Sequence, residues 1–123
     1  MRKISFSQAI NEAIAIAMRN SDSVITYGLG VTDPKGVFST TLNLEKEFGS
    51  TRVFDTPTSE NAMTGIGIGA AINGLRPIMV HQRVDFFLLA LDQLINNAAK
   101  WRFMFGGEST VPITIRLIVG HGW

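Results

Sequence analysis

The chain has 123 residues, 46% hydrophobic and 17% charged, enough for one domain with one core and without the composition of a disordered segment. Its 11 Lys plus Arg balance 10 Asp plus Glu with no basic run, which argues against nucleic-acid binding. The absence of cysteine excludes a disulfide framework or a thiolate metal site, and the opening MRKISFSQAINEA reads as neither a signal peptide nor a membrane span, so a soluble cytoplasmic protein is expected.

Ser5 or Ser7 can cap a first helix, in which Ile10, Ala13, Ile14, Ala17 and Met18 recur at the i, i+3, i+4, i+7, i+8 spacing of an amphipathic surface helix. Asn20, Ser21 and Asp22 end it, and Val24 to Tyr27 is an apolar run suited to a strand buried on both sides. Gly28 and Gly30 break that pattern, and residues 28–37, with Asp33, Pro34 and Gly36, predict exposed turns. A second helix is expected from Ser39 to Thr41 onward, carrying Leu42, Leu44 and Phe48 and closed by Gly49. Arg52 to Phe54 then reads as a strand.

The stretch from Asp55 to Pro77 is the most informative. Pro57 forbids a helix upstream, Thr58 or Ser59 can cap the turn that follows, and Glu60 stands in that first turn. Free backbone N–H groups and the positive end of the helix dipole stabilise a carboxylate there, although a Glu after Ser or Thr is also ordinary capping chemistry. Gly65, Gly67 and Gly69 follow among apolar neighbours, each costing on the order of 1 kcal/mol relative to alanine in a helix. Gly65 and Gly69 lie one turn apart, which makes sense if another backbone or helix approaches that face. Gly74 stops the helix, Pro77 marks its exit, and GIGIG lacks the spacing of a dinucleotide or phosphate loop.

Ile78 to His81 is a third strand. Asp85 can cap a long helix from Phe86 to about Phe103, apolar on more than one face and hence buried between the sheet and a further layer. Gly106 and Gly107 end it, and Val111 to Val119 reads as a strand with Pro112 near its start. Alternating strands and helices imply parallel strands joined by right-handed crossovers, an α/β layered domain over residues 1–123. Ligands in such folds gather at the carboxyl ends of the strands, here near Gly28, Asp55 to Ser59, and Gln82 to Asp85. His81 and His121 have no partner at metal-site spacing and read as hydrogen-bonded residues without a functional role.

The run from Glu60 to Gly65, Ile66 and Gly69 resembles the glutamate motif of thiamine-diphosphate enzymes. More narrowly, DTPTSENAMTGIGIGAAINGLRPI, DFFLLALDQLINNAAKWRFMFGG and VPITIR resemble the β subunit of 2-oxo acid dehydrogenase E1 components, over nearly the whole chain. Pyruvate, branched-chain 2-oxo acid and acetoin dehydrogenases belong there. The resemblance implies a three-layer, mostly parallel, thiamine-diphosphate-binding pyrimidine-domain fold. It is truncated relative to the family, without the domain's last strands and helices or the carboxy-terminal domain.

The resemblance further implies that Glu60 hydrogen-bonds N1′ of the cofactor's aminopyrimidine and promotes the imino tautomer that takes the proton from the thiazolium C2. Phe86 then packs on the pyrimidine, and Gln82 and Thr58 line the pocket; from the residues alone, Phe86 beside Phe87 reads as core. The motif that holds Mg2+ and the diphosphate is missing and belongs to an E1 α-type partner, so no metal ligand is expected in this chain. Three positions depart from the family pattern: Leu29 stands where a glutamate follows the first-strand glycine, Val80 where an acid is usual, and Arg83 where the residue is uncharged. The expected function is oxidative decarboxylation of a 2-oxo acid with an α subunit, with self-association and little activity alone. The alternative is a shortened, catalytically silent relative acting as an assembly or binding module.

Overall fold

A computed structural model gives the structure of residues 2–120, and His121 and Trp123 lie outside these described residues. In chain order the elements are α1 (Phe6–Asn20), β1 (Val24–Gly28), α2 (Leu44–Phe48), β2 (Val53–Asp55), α3 (Glu60–Ile72), β3 (Arg76–Val80), α4 (Val84–Phe87), α5 (Ala99–Met104) and β4 (Thr114–Arg116). The strands form one parallel sheet in the order β2-β1-β3-β4. Strand residues alternate between two cores, as a sheet covered on both faces requires. Val24, Val53 and Val80 pack with Ile14 and Met18 of α1 and Leu44 of α2. Tyr27 and Met79 pack on the other face with Met63 of α3, Phe87 and Ala90. The result is the three-layer α/β arrangement that the alternation of elements implies.

Ser5 caps α1 in a reciprocal capping box with Gln8. The segment before α2 departs from expectation, because the helix covers only Leu44–Phe48. Phe38, Ser39 and Asn43 adopt left-handed backbone conformations, and side chains compete for the backbone: Thr41 Oγ1 accepts from Val37 N–H at 3.0 Å. Nor is the preceding loop simply exposed, since Leu29, Val31 and Val37 are buried. Asp55 holds it, accepting from Val31 N–H at 2.6 Å and from the Thr32 hydroxyl.

Pro77 lies inside β3 rather than at the exit from α3. Arg76 N–H donates to Ser23 on the β1 side and His81 N–H to Arg116 on the β4 side, so the alternation of the strand aims the Pro77 nitrogen toward β4. The β3–β4 ladder begins at Ile78, above the missing donor. β4 accordingly begins at Thr114 and covers Thr114–Arg116, shorter than the run from Val111 to Val119.

The long helix expected from Phe86 to Phe103 is several pieces. α4 starts at Val84, whose N–H donates to Ile118 O at 3.0 Å, and Asp85 pairs with Arg83 instead of capping. A 3₁₀ turn over Leu88–Ala90 and a π-helical stretch over Gln93–Ala98 precede α5. Gln93 donates to Asn61 of α3 at 2.9 Å and accepts from Asn97 at 2.9 Å, so a polar ladder ties the π stretch to α3. Burial is one-sided: Phe87 and Ala90 are in the core, whereas Leu88, Leu89, Ile95 and Phe103 face outward.

Candidate functional site

Three carboxyl-terminal strand ends meet where β1 passes into Leu29, β2 into Thr56 and β3 into His81. Gly28 makes this junction possible. At φ 149°, a Cβ there would stand 2.0 Å from the Val80 carbonyl oxygen, so no other residue lets β1 leave the sheet beside β3. A cavity of about 530 Å³ opens at this edge, and its lining includes Thr58, Glu60, Gln82 and Phe86 together with Leu29 and Leu89. The four residues expected at a cofactor are thus brought onto one concavity.

Glu60 is the first residue of α3 and is 7% exposed. Ser59 occupies the N-cap position, but neither it nor Thr58 supplies the anticipated side-chain cap; Ser59 makes no such hydrogen bond, and its carbonyl accepts from Met63 N–H at 2.9 Å. The Glu60 carbonyl accepts from the Thr64 hydroxyl at 2.7 Å. Glu60 thus stands in the first turn, at the positive end of the helix dipole, on the wall of a cavity. The two aromatic neighbours separate cleanly. Phe87 enters the core, while Phe86 is 39% exposed and presents its ring to the cavity.

The positions that depart from the family pattern fall in three different places. Leu29 is buried yet lines the cavity, adding apolar surface. Val80 points to the α1 face of the sheet, away from Glu60. Arg83 sits 3.2 Å from Asp85 and lines an adjoining cavity of about 520 Å³ that shares Asp33 and Gln82 with the first. Among the described residues no group of three or more His, Cys, Asp or Glu side chains could hold a metal ion.

His81 corrects the sequence reading. It is fully buried, packs edge-on to Phe87 at 5.0 Å, and neither ring nitrogen has a hydrogen-bond partner among the described residues. Burial lowers its pKa from the ordinary 6.5, while the nearby Glu60 charge pulls the other way. Nothing in the local sequence marked it, because only the packing of α3 on β3 brings it to Glu60.

The glycines of α3 also sort differently from their spacing. A Cβ on Gly67 would stand 2.0 Å from the Tyr27 hydroxyl oxygen, which donates to Met63 O at 2.7 Å. Gly69 has nothing within 4 Å, and Gly65 meets only the Gln93 side chain. The close approach inside the domain is therefore at Gly67.

Residues 2–122 match the family described as transketolase, pyrimidine binding domain. Acetoin:2,6-dichlorophenolindophenol oxidoreductase subunit beta of Bacillus subtilis (strain 168) is 43% identical over 134 residues, covering 99% of this chain and 39% of that protein. The pyruvate dehydrogenase E1 component subunit beta of Staphylococcus aureus (strain Mu50 / ATCC 700699) is 39% identical, over 99% of this chain and 38% of that protein. Its counterpart in Rhizobium meliloti (strain 1021) is 40% identical over 94% of this chain and 25% of that protein. The chain thus spans about two fifths or less of the length of these curated relatives.

Proposed function

The chain belongs to the transketolase pyrimidine binding domain family, and on that premise we propose that it is the pyrimidine-binding part of a thiamine-diphosphate-dependent E1 β-type subunit, acting in the cytoplasm on a 2-oxo acid. The observation that carries this reading is the convergence of Thr58, Glu60, Gln82 and Phe86 on one cavity with its carboxylate at a helix entrance. The lining fits one half of the cofactor: an aromatic ring for a flat heterocycle to stack on, Leu29 and Leu89 to exclude water, and polar Gln82 and Thr58 for its edge. Glu60 would hold a proton toward the ring nitrogen N1′. When bound, thiamine diphosphate supplies the electron sink for decarboxylation. Its Mg2+-bound diphosphate would be held by an E1 α-type partner. The outward Ile66, Leu88, Leu89 and Ile95 support docking of that partner or of a second copy.

The test is calorimetry and turnover of the chain with an E1 α-type partner, thiamine diphosphate and Mg2+. Glu60→Gln should lower turnover by roughly 10²–10⁴-fold, the usual contribution of a placed acid or base. Equal binding heat and equal turnover for Glu60→Gln and wild type would remove this reading. Leu29, apolar on the cavity wall, favours the second reading, a catalytically silent assembly or binding module. That reading requires partner binding indifferent to Glu60→Gln and no turnover with any partner.

A further inference from the structure

The register of α3 on β3 sets two buried polar side chains level with each other. Because β2 and β3 are parallel, the α3 between them runs antiparallel to β3. Thr64 Oγ1 lies 3.7 Å from Met79 Sδ, which fixes where helix and strand meet. Four residues back along the helix, about 6 Å, is Glu60. Two residues onward along the strand, about 6.6 Å, is His81, on the same sheet face as Met79. The imidazole has no exposed surface, and both its nitrogens are unpartnered among the described residues. A buried polar group left without a partner is destabilising.

We propose that His81 is a positioning residue for Glu60: its ring nitrogens are unpartnered as placed, and by a turn of the side chains the neutral imidazole donates a ring N–H to the Glu60 carboxylate and so fixes which carboxylate oxygen faces the cavity. Of the other charged groups around it, the carboxylates are engaged elsewhere and Arg116 faces away. Asp85 of α4 pairs with Arg83, and Asp55 at the end of β2 accepts from Val31 and Thr32. Arg116 of β4 lines the opposite sheet face with Ile10 and Ile14. Burial favours the neutral ring, which offers one N–H and one lone pair rather than a second charge. The proposal rests on the reading of Glu60 given above, but it concerns the free chain.

The test is long-range ¹H–¹⁵N spectroscopy of the chain labelled at its 2 histidines, with His121→Gln assigning the signals. Wild type should show His81 as a single neutral tautomer with one ring N–H shielded from water. Glu60→Leu removes acceptor and charge together, so the tautomer preference should disappear and the His81 midpoint should fall. Glu60→Gln removes the charge and keeps an acceptor, so the midpoint should fall while the tautomer persists. Two exchanging tautomers in wild type, or a Glu60→Leu spectrum matching wild type, overturns the proposal. If Glu60→Leu does not fold, the wild-type tautomer and the Glu60→Gln midpoint decide it. No cofactor enters these spectra, so their failure is separate from a failure of the turnover experiment.

Discussion

Single side chains carry the sharpest consequences. His81 is buried with its pKa lowered below 6.5, so the unfolded chain binds a proton more readily than the folded one. Stability from this group is present above the unfolded value and is lost as pH falls below it, at a slope of up to about 1.4 kcal/mol per pH unit. Denaturant titrations between pH 7 and 5 should show this loss, and His81→Phe should flatten it. In α3, Gly67→Ala forces a methyl into the Tyr27 hydroxyl and should cost about 2–4 kcal/mol, whereas Gly69→Ala should add about 1 kcal/mol in the chain by itself. Thermal melts of the two variants would separate them. The sequence exposed the glycines and their cost but not which one is needed, since the clashing hydroxyl comes from β1. Glu60 and Phe86 drew notice through the family resemblance; His81 did not, because its neighbour is 21 positions away by number.

At the scale of elements, α1, β1, β2 and α3 followed from apolar period and punctuation, which are local. α2 was shortened by left-handed residues that no periodicity reports. The run from Val84 to Met104 is apolar on several faces, and a pattern of that kind cannot distinguish one α-helix from α, 3₁₀ and π pieces held by amide side chains. Arg52 was another tertiary surprise at the mouth of β2. Its guanidinium donates to the carbonyls of Met18 at 2.7 Å, Ser21 at 2.8 Å and Val24 at 2.9 Å, and lies 5.4 Å from the Phe48 ring centroid. It thereby closes the end of α1 onto the sheet. Arg52→Ala should cost about 2–3 kcal/mol by chemical denaturation, since charge-assisted bonds to buried carbonyls are lost together, and Arg52→Lys should recover little of it.

For the whole molecule, parallel strands and three layers were readable because alternating elements leave few other solutions. The strand order and the one-sided cover of the second layer were not, as both depend on which surfaces meet. Among the described residues no helix is long and apolar enough to cross a membrane, and Ile66, Ile95 and Phe103 face outward. Sedimentation should show concentration-dependent association or capture of an E1 α-type partner, and Ile95→Glu should weaken it at least tenfold with the melting temperature unchanged. A different outcome of the fold lies at the flank of β3. With the Pro77 pyrrolidine nitrogen facing β4 below Ile78, a strand lying on that border finds its β3 backbone donors above the proline, toward the end of the sheet where Glu60 lies.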